Sequence, residues 1–223
     1  MIGGMIMELK IKDPGSALTH FIAMLTAMVA ATPLLIKAAS VPGTMHLKAL
    51  SVFIVSMILL YAASTVYHTF DISEHVNKIL RKIDHMMIFI LIAGTYTPVC
   101  LIVLGNKSGY RMLSLVWGIA IVGIIINALW INCPKWFSSV IYIAMGWVCI
   151  MAIRQIVAAL TPAAFTWLLA GGIIYTIGGV IYALKLPLFN GKHQYFGSHE
   201  IFHVFVMAGS LCHYVTMFYI ATM

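Results

Sequence analysis

Histidines with a spacing suited to metal binding lie at two separated points of the sequence. His199 and His203 are four residues apart, and His68 lies near the end of a much earlier apolar stretch. Residues four apart on a helix share one face about one turn from each other, so two such imidazoles can reach a single ion. Imidazole nitrogens bind zinc at ~2.0 to 2.1 Å. The sequence therefore predicts a metal site formed by His68, His199 and His203.

Asp84 and Ser64 are the residues predicted to do chemistry beside this metal. Ser64 precedes His68 by one helical turn, and Asp84 opens the next apolar stretch. Three neutral imidazoles leave a fourth zinc position for water, which the ion acidifies. We expect Asp84 to orient this water and accept its proton, and Ser64 to hold a substrate oxygen or an imidazole. Alternatively, the histidines only hydrogen-bond between helices and Ser64 bonds its own backbone.

The composition shows which solvent surrounds these residues. Apolar residues make up 62% of the 223-residue chain and charged residues only 9%, whereas ordinary soluble proteins carry ~25% charged residues. This excludes an ordinary water-soluble domain. The net charge of +7 favours contact with anionic lipid head groups as partners. Because the sequence has neither a basic arm nor a groove-reading motif, we expect no nucleic-acid binding.

Seven uncharged windows divide the chain into candidate membrane spans. Each can supply the ~20 helical residues that cross a hydrocarbon core of ~30 Å, and helices satisfy their backbone groups internally in lipid. The apolar runs are continuous, unlike the alternating strands of a barrel. We predict an all-α integral membrane protein, a seven-transmembrane helix bundle forming one domain over 1–223. The predicted spans are approximately 17–37, 47–69, 85–105, 111–131, 136–157, 163–184 and 200–222.

The distribution of Lys and Arg predicts the orientation of the bundle. Eight lie on the side of the N-terminus and five on the opposite side. This bias predicts a cytoplasmic N-terminus and an external C-terminus for a multi-pass protein of the plasma membrane. The candidate metal ligands then share the cytoplasmic face. A short helix along this face is predicted before the third span, since apolar residues recur there at helical spacing: Ile72, Val76, Ile79, Leu80 and Ile83.

The order of these motifs resembles a known family. Thr19-His20, the pair Ser64 and His68, Asp84, and the pair His199 and His203 follow one another as in the hemolysin III proteins of the progestin and adipoQ receptor family. The resemblance implies seven helices with the N-terminus inside and zinc bound by the three histidines. It also implies an aspartate near the zinc-bound water and kinship to membrane ceramidases and other lipid hydrolases. The family's opening pattern, Glu-x-x-Asn-x-x-Thr-His, is altered here to Asp13-Pro14-Gly15-Ser16-Ala17-Leu18-Thr19-His20.

Several functions are compatible with these residues. We expect a metal-dependent hydrolase of lipid amide or ester bonds, ceramidase-like, or a membrane-lipid homeostasis factor that binds a lipid ligand without turnover. Residues 199–203 also match the H-E-x-x-H pattern of zinc metallopeptidases, so an intramembrane metalloprotease is an alternative. A cytolytic, pore-forming hemolysin is a further alternative, although the spans lack a polar stripe that would line an aqueous path.

Three other polar residues in apolar surroundings have supporting roles in this hypothesis. Glu200 is expected to contribute polarity or hydrogen bonding instead of acting as the general base. His20 is expected to form a hydrogen bond that bridges two helices. His213 follows His203 by ten residues, ~15 Å further along the helix, and is therefore predicted to be a buried interhelical donor too distant to share the metal.

Overall fold

The protein is a bundle of helices. The computed structural model describes residues 11–130, 134–184 and 197–223, and all regular structure in these ranges is helical. Within the described ranges, seven helical segments are long and apolar enough to cross a membrane. This confirms the predicted seven-helix fold, while the side that each terminus faces stays a prediction. The helices are α1 (Pro14–Ala39), α2 (Met45–Thr69), α3 (Glu74–Pro98), α4 (Lys107–Leu129), α5 (Lys135–Gly146), α6 (Ile153–Ala159), α7 (Pro162–Leu184) and α8 (Ser198–Ile220).

Two of the spans contain irregular helix. After α3 the chain continues as a π-helical segment, Val99–Leu104, and the two together form the third span. The fifth span comprises α5, a 3₁₀ segment at Trp147–Ala152, and α6. The sixth span is α7, which begins at Pro162, where a missing backbone N–H is tolerated. The seventh span is α8.

The start of the third span differs from its prediction. The expected interface helix and the expected span from residue 85 form one continuous helix that begins at Glu74. The Ser73 hydroxyl caps this helix by accepting the N–H of Val76 at 3.3 Å. Neither Gly nor Pro occurs between Glu74 and Asp84, so nothing interrupts the helix. The 31 residues of this span rise ~46 Å, so its charged first turns extend beyond a core of ~30 Å.

The packing brings four helix ends to one end of the bundle. Helix α1 packs against both α2 and α8, and α2 packs against α3. Gly94 permits the close approach of α3 to α2, because a Cβ at this position would overlap the side chain of Ser56. As a result, α1, α3 and α8 begin, and α2 ends, at what we call the site end of the bundle.

Candidate metal centre

The three predicted metal ligands meet at the site end. His68 lies in the last turn of α2, and His199 and His203 lie in the first two turns of α8. Each offers a ligand atom, and these atoms all lie within 4.8 Å of one another. The Nε2 atoms of His68 and His199 are 3.3 Å apart, which matches the ~3.3 to 3.4 Å between two nitrogens bound to one tetrahedral zinc ion. This donor set fits zinc.

Asp13 orients the imidazole of His68. The Asp13 N–H donates to the His68 carbonyl oxygen at 2.9 Å, and the Asp13 Oδ2 atom lies 2.9 Å from His68 Nδ1. Asp13 immediately precedes α1, yet its side chain does not cap that helix. A histidine that ligates a metal commonly donates its other ring N–H to a carboxylate, which sets the tautomer. Here the carboxylate binds Nδ1, so Nε2 faces His199 as the ligand atom.

Ser16 and Glu200 join α1 to the start of α8. The Ser16 hydroxyl donates to Glu200 Oε1 at 2.7 Å, and the Gly197 N–H donates to Glu200 Oε2 at 2.8 Å. Both carboxylate oxygens of Glu200 therefore accept hydrogen bonds at the start of α8. This geometry agrees with the hydrogen-bonding role expected of Glu200, and it anchors the helix that carries His199 and His203.

His20 belongs to the same cluster but contacts it through ring stacking. Its ring lies parallel to that of His203, with 3.7 Å between centroids and 8° between planes, and it meets Tyr61 edge-on at 5.0 Å. Neither ring nitrogen of His20 has a hydrogen-bond partner within the described ranges. The expected helix-bridging hydrogen bond is thus not found there. Nδ1 of His203 lies 3.5 Å from the Thr19 hydroxyl, which leaves Nε2 for a metal.

Asp84 and Ser64 lie next to each other beside the histidines. Both side chains are buried, and the Ser64 hydroxyl neighbours the Asp84 carboxyl group. Ser64 Oγ makes no hydrogen bond to backbone atoms of the described residues, so the alternative in which it bonds its own helix is wrong there. Asp84 is not part of the group of ligand atoms that approach within 4.8 Å. Asp84 therefore lies outside the group of candidate ligands, and its role as a proton acceptor stays a prediction.

A cavity of about 490 Å³ extends from these residues into the bundle. Ser64, Asp84, His199 and His203 line it, and most of its remaining wall is apolar. Cavities that bind small molecules are typically ~300 to 1,000 Å³, mostly apolar, with a few polar groups that orient the ligand. The cavity therefore has the size and the chemistry to receive an amphiphilic molecule with its polar part at the histidines.

The sequence alone did not predict the contacts of Asp13 and Ser16. These residues occupy the Glu and Asn positions of the altered opening pattern, and each contacts a residue of the candidate site, His68 and Glu200 respectively. The Thr19-His20 pair could have indicated them, because it fixes the alignment of this sequence with the family's opening pattern. The Glu and Asn positions of that pattern then lie six and three residues before Thr19. Their partners lie 55 and 184 residues away in the chain, so spacing did not reveal them.

Replacing Asp13 by alanine is expected to weaken zinc binding by ~10- to 100-fold, since the variant removes the carboxylate that orients His68. Competition with a chromophoric zinc chelator measures the affinity. Asp71→Ala is the matched control, because Asp71 lies in the loop after α2, where its carboxylate accepts a hydrogen bond from the Asn77 side chain. Equal zinc affinities for Asp13→Ala and the wild type would show that the Asp13–His68 pair has no part in metal binding.

The fold and the histidine group define the class: a seven-helix membrane protein with a candidate three-histidine metal centre. The sequence profile described as "Haemolysin-III related" matches residues 9–214. The chain belongs to this family and is therefore a multi-pass membrane protein.

Individual relatives agree with this assignment. The chain is 35% identical over 199 residues to the Hemolysin-3 homolog of Bacillus subtilis (strain 168), covering 89% of each protein. It is 36% identical over 210 residues to Hemolysin-3 of Bacillus cereus, covering 94% of this chain and 92% of the relative. A more distant similarity, 27% over 180 residues, links it to the Adiponectin receptor protein of Drosophila melanogaster, covering 73% of this chain and 40% of that protein. These similarities confirm the predicted superfamily.

Proposed function

We propose that this protein is a zinc-dependent hydrolase that cleaves an amide or ester bond of a membrane lipid. The observation that carries the proposal is the group of three histidines beside a buried carboxyl group at one end of a largely apolar cavity. A zinc ion held by His68, His199 and His203 would polarise the substrate carbonyl group and acidify a water molecule. The positive-inside bias suggests that the site end faces the cytoplasmic leaflet of the plasma membrane.

Each neighbouring residue has a separate role in this proposal. Asp84 accepts the proton of the attacking water at its carboxylate and later donates a proton to the leaving group. Ser64 donates a hydrogen bond to a substrate oxygen, because this residue lines the cavity and its hydroxyl group neighbours Asp84. Asp13 is a positioning residue that acts through His68. The apolar wall of the cavity holds the hydrocarbon chain and keeps bulk water away from the reacting bond.

The geometry of Glu200 argues against the metalloprotease alternative. A protease of the H-E-x-x-H type uses this glutamate as general base. Here both carboxylate oxygens accept hydrogen bonds from Ser16 and Gly197, so the side chain already has structural partners. A lipid sensor that binds the same ligand without turnover uses the same cavity and is the second candidate.

Reconstitution in vesicles distinguishes these functions. Zinc-loaded protein is incubated with labelled ceramide and labelled phospholipid, a transmembrane peptide, and an entrapped dye. We expect release of free fatty acid that stops when a chelator removes the zinc. Cleavage of the peptide would instead support the protease. Escape of the dye would support a cytolytic function, which the names of the Bacillus relatives indicate. Zinc binding without any of these reactions would support the sensor and contradict the hydrolase.

A further inference from the structure

His213 is a buried polar residue that has no role in the proposed chemistry. It lies in α8 ten residues after His203, ~15 Å further along the helix axis. Its side chain is 7% exposed, and Nδ1 has no hydrogen-bond partner within the described ranges. The interhelical hydrogen bond predicted for it is therefore not found there. Burial of an unpaired polar group is unfavourable, and ionisable residues inside membrane spans commonly mark functional sites.

Two glycines make room for His213 and for its neighbour Tyr175. A Cβ at Gly171 in α7 would lie 2.8 Å from His213 Nε2, and a Cβ at Gly209 in α8 would lie 2.5 Å from the Tyr175 ring. Larger residues at these positions would displace both rings. The two glycines therefore accommodate two large polar rings between α7 and α8.

The hydroxyl groups around His213 have hydrogen-bond partners, whereas Nδ1 of His213 has none within the described ranges. The Tyr61 hydroxyl donates to Ser210 Oγ at 2.7 Å, and the Tyr175 hydroxyl lies 2.8 Å from the same oxygen. The rings of Tyr175 and His213 are 5.1 Å apart. Nδ1 is itself enclosed by the protein, which leaves Nε2 as the nitrogen through which the imidazole can meet a ligand in the cavity.

His213 lines the same cavity as the candidate metal centre. Besides Asp84 and the histidines at the site end and His213 deeper in the bundle, other polar residues line it, among them Thr95, Asn127 and Thr176. Apolar residues such as Ile88, Leu91 and Val206 line the wall as well. A simple hydrocarbon chain would leave His213 unpaired, whereas a chain with a hydrogen-bonding group at this depth would pair with it.

We propose that His213 binds a hydroxyl group in the hydrocarbon chain of the lipid, so that the cavity selects chain-hydroxylated lipids. The inference rests on the proposed function, because that function places the polar head of the lipid at the three histidines and its chain deeper in the cavity. A site built to hydrogen-bond a hydroxyl group discriminates against the analogue that lacks it, because the buried protein group is then left unpaired. One such hydrogen bond corresponds to roughly tenfold in affinity.

Comparison of oleic and ricinoleic acid tests this specificity, since ricinoleic acid is the oleic chain with a hydroxyl group near its middle. The dissociation constants are measured with the purified, zinc-loaded full chain in detergent. Wild type is expected to bind ricinoleic acid roughly tenfold more tightly. His213→Phe, which keeps a ring in the space beside Gly171, should lose this preference and retain its affinity for oleic acid. His213→Gln, which can still hydrogen-bond, should keep part of it.

Tyr214→Phe is the matched control, because the Tyr214 hydroxyl donates to the Ala30 carbonyl oxygen of α1 and this residue does not line the cavity. This variant should keep the full preference. Equal affinities of the two acids for wild type, absence of binding by both, or a preference that survives in His213→Phe would overturn the inference. If His213→Phe does not fold, the comparison of the two acids with wild type and with His213→Gln still tests the inference. A protein that prefers ricinoleic acid but hydrolyses no lipid would contradict the proposed function and leave this inference intact.

Discussion

Alanine in place of His68, His199 or His203 is expected to reduce bound zinc from about one ion per purified chain to a small fraction of that. Each variant removes one of the three candidate ligand nitrogens, which all lie within 4.8 Å of one another. The loss should exceed the ~10- to 100-fold in affinity that a residue orienting a ligand contributes, because a direct ligand is missing. Lipid hydrolysis should fall in parallel. Elemental analysis after size-exclusion chromatography measures the zinc content.

The control for this series is His75→Ala, since His75 lies in the first turn of α3 outside the three-histidine group. It should retain zinc at the wild-type level. Circular dichroism and the elution volume establish that every variant keeps its helical fold. Wild-type zinc content in all three site variants would mean that the histidines serve only to hold helices together, and the hydrolase proposal would lose its basis.

The second large effect is expected for Asp84→Asn, which should keep its zinc and lose turnover by ~10² to 10⁴-fold, the usual contribution of a general acid–base group. Asparagine has nearly the same shape and preserves a polar contact with Ser64, but it cannot accept the proton. Asp84 is also not part of the group of converging ligand atoms, so metal binding should persist. The measurements are zinc content and the rate of fatty-acid release by the same preparation.

Glu200→Gln is the informative partner of this variant. A glutamine oxygen can still accept the hydrogen bond of Ser16, so the start of α8 should remain anchored. If Asp84 is the base, Glu200→Gln retains most of the activity. The reverse pattern, with an inactive Glu200→Gln and an active Asp84→Asn, would move the general base to the H-E-x-x-H motif and favour the metallopeptidase mechanism.

Much of the fold was predictable because the membrane constrains each helix separately. Each span must be apolar over about twenty consecutive residues and must satisfy its own backbone groups. Hydropathy and charge therefore reveal the helices one at a time, and the seven spans were predicted correctly in number. The exception was the start of α3, where charged residues were taken to end the span although the helix continues to Glu74. Backbone hydrogen bonding does not stop at the membrane surface.

The candidate metal ligands were also predictable, since His199 and His203 share a helix face through their spacing and His68 lies at the same end of the bundle. Their supporting contacts depended on the tertiary structure. Asp13 reaches His68 across 55 residues, and Ser16 reaches Glu200 across 184. His20 stacks on His203, which no spacing rule indicates. Such partners are decided by how neighbouring helices pack and rotate, whereas sequence patterns report only what lies along one helix.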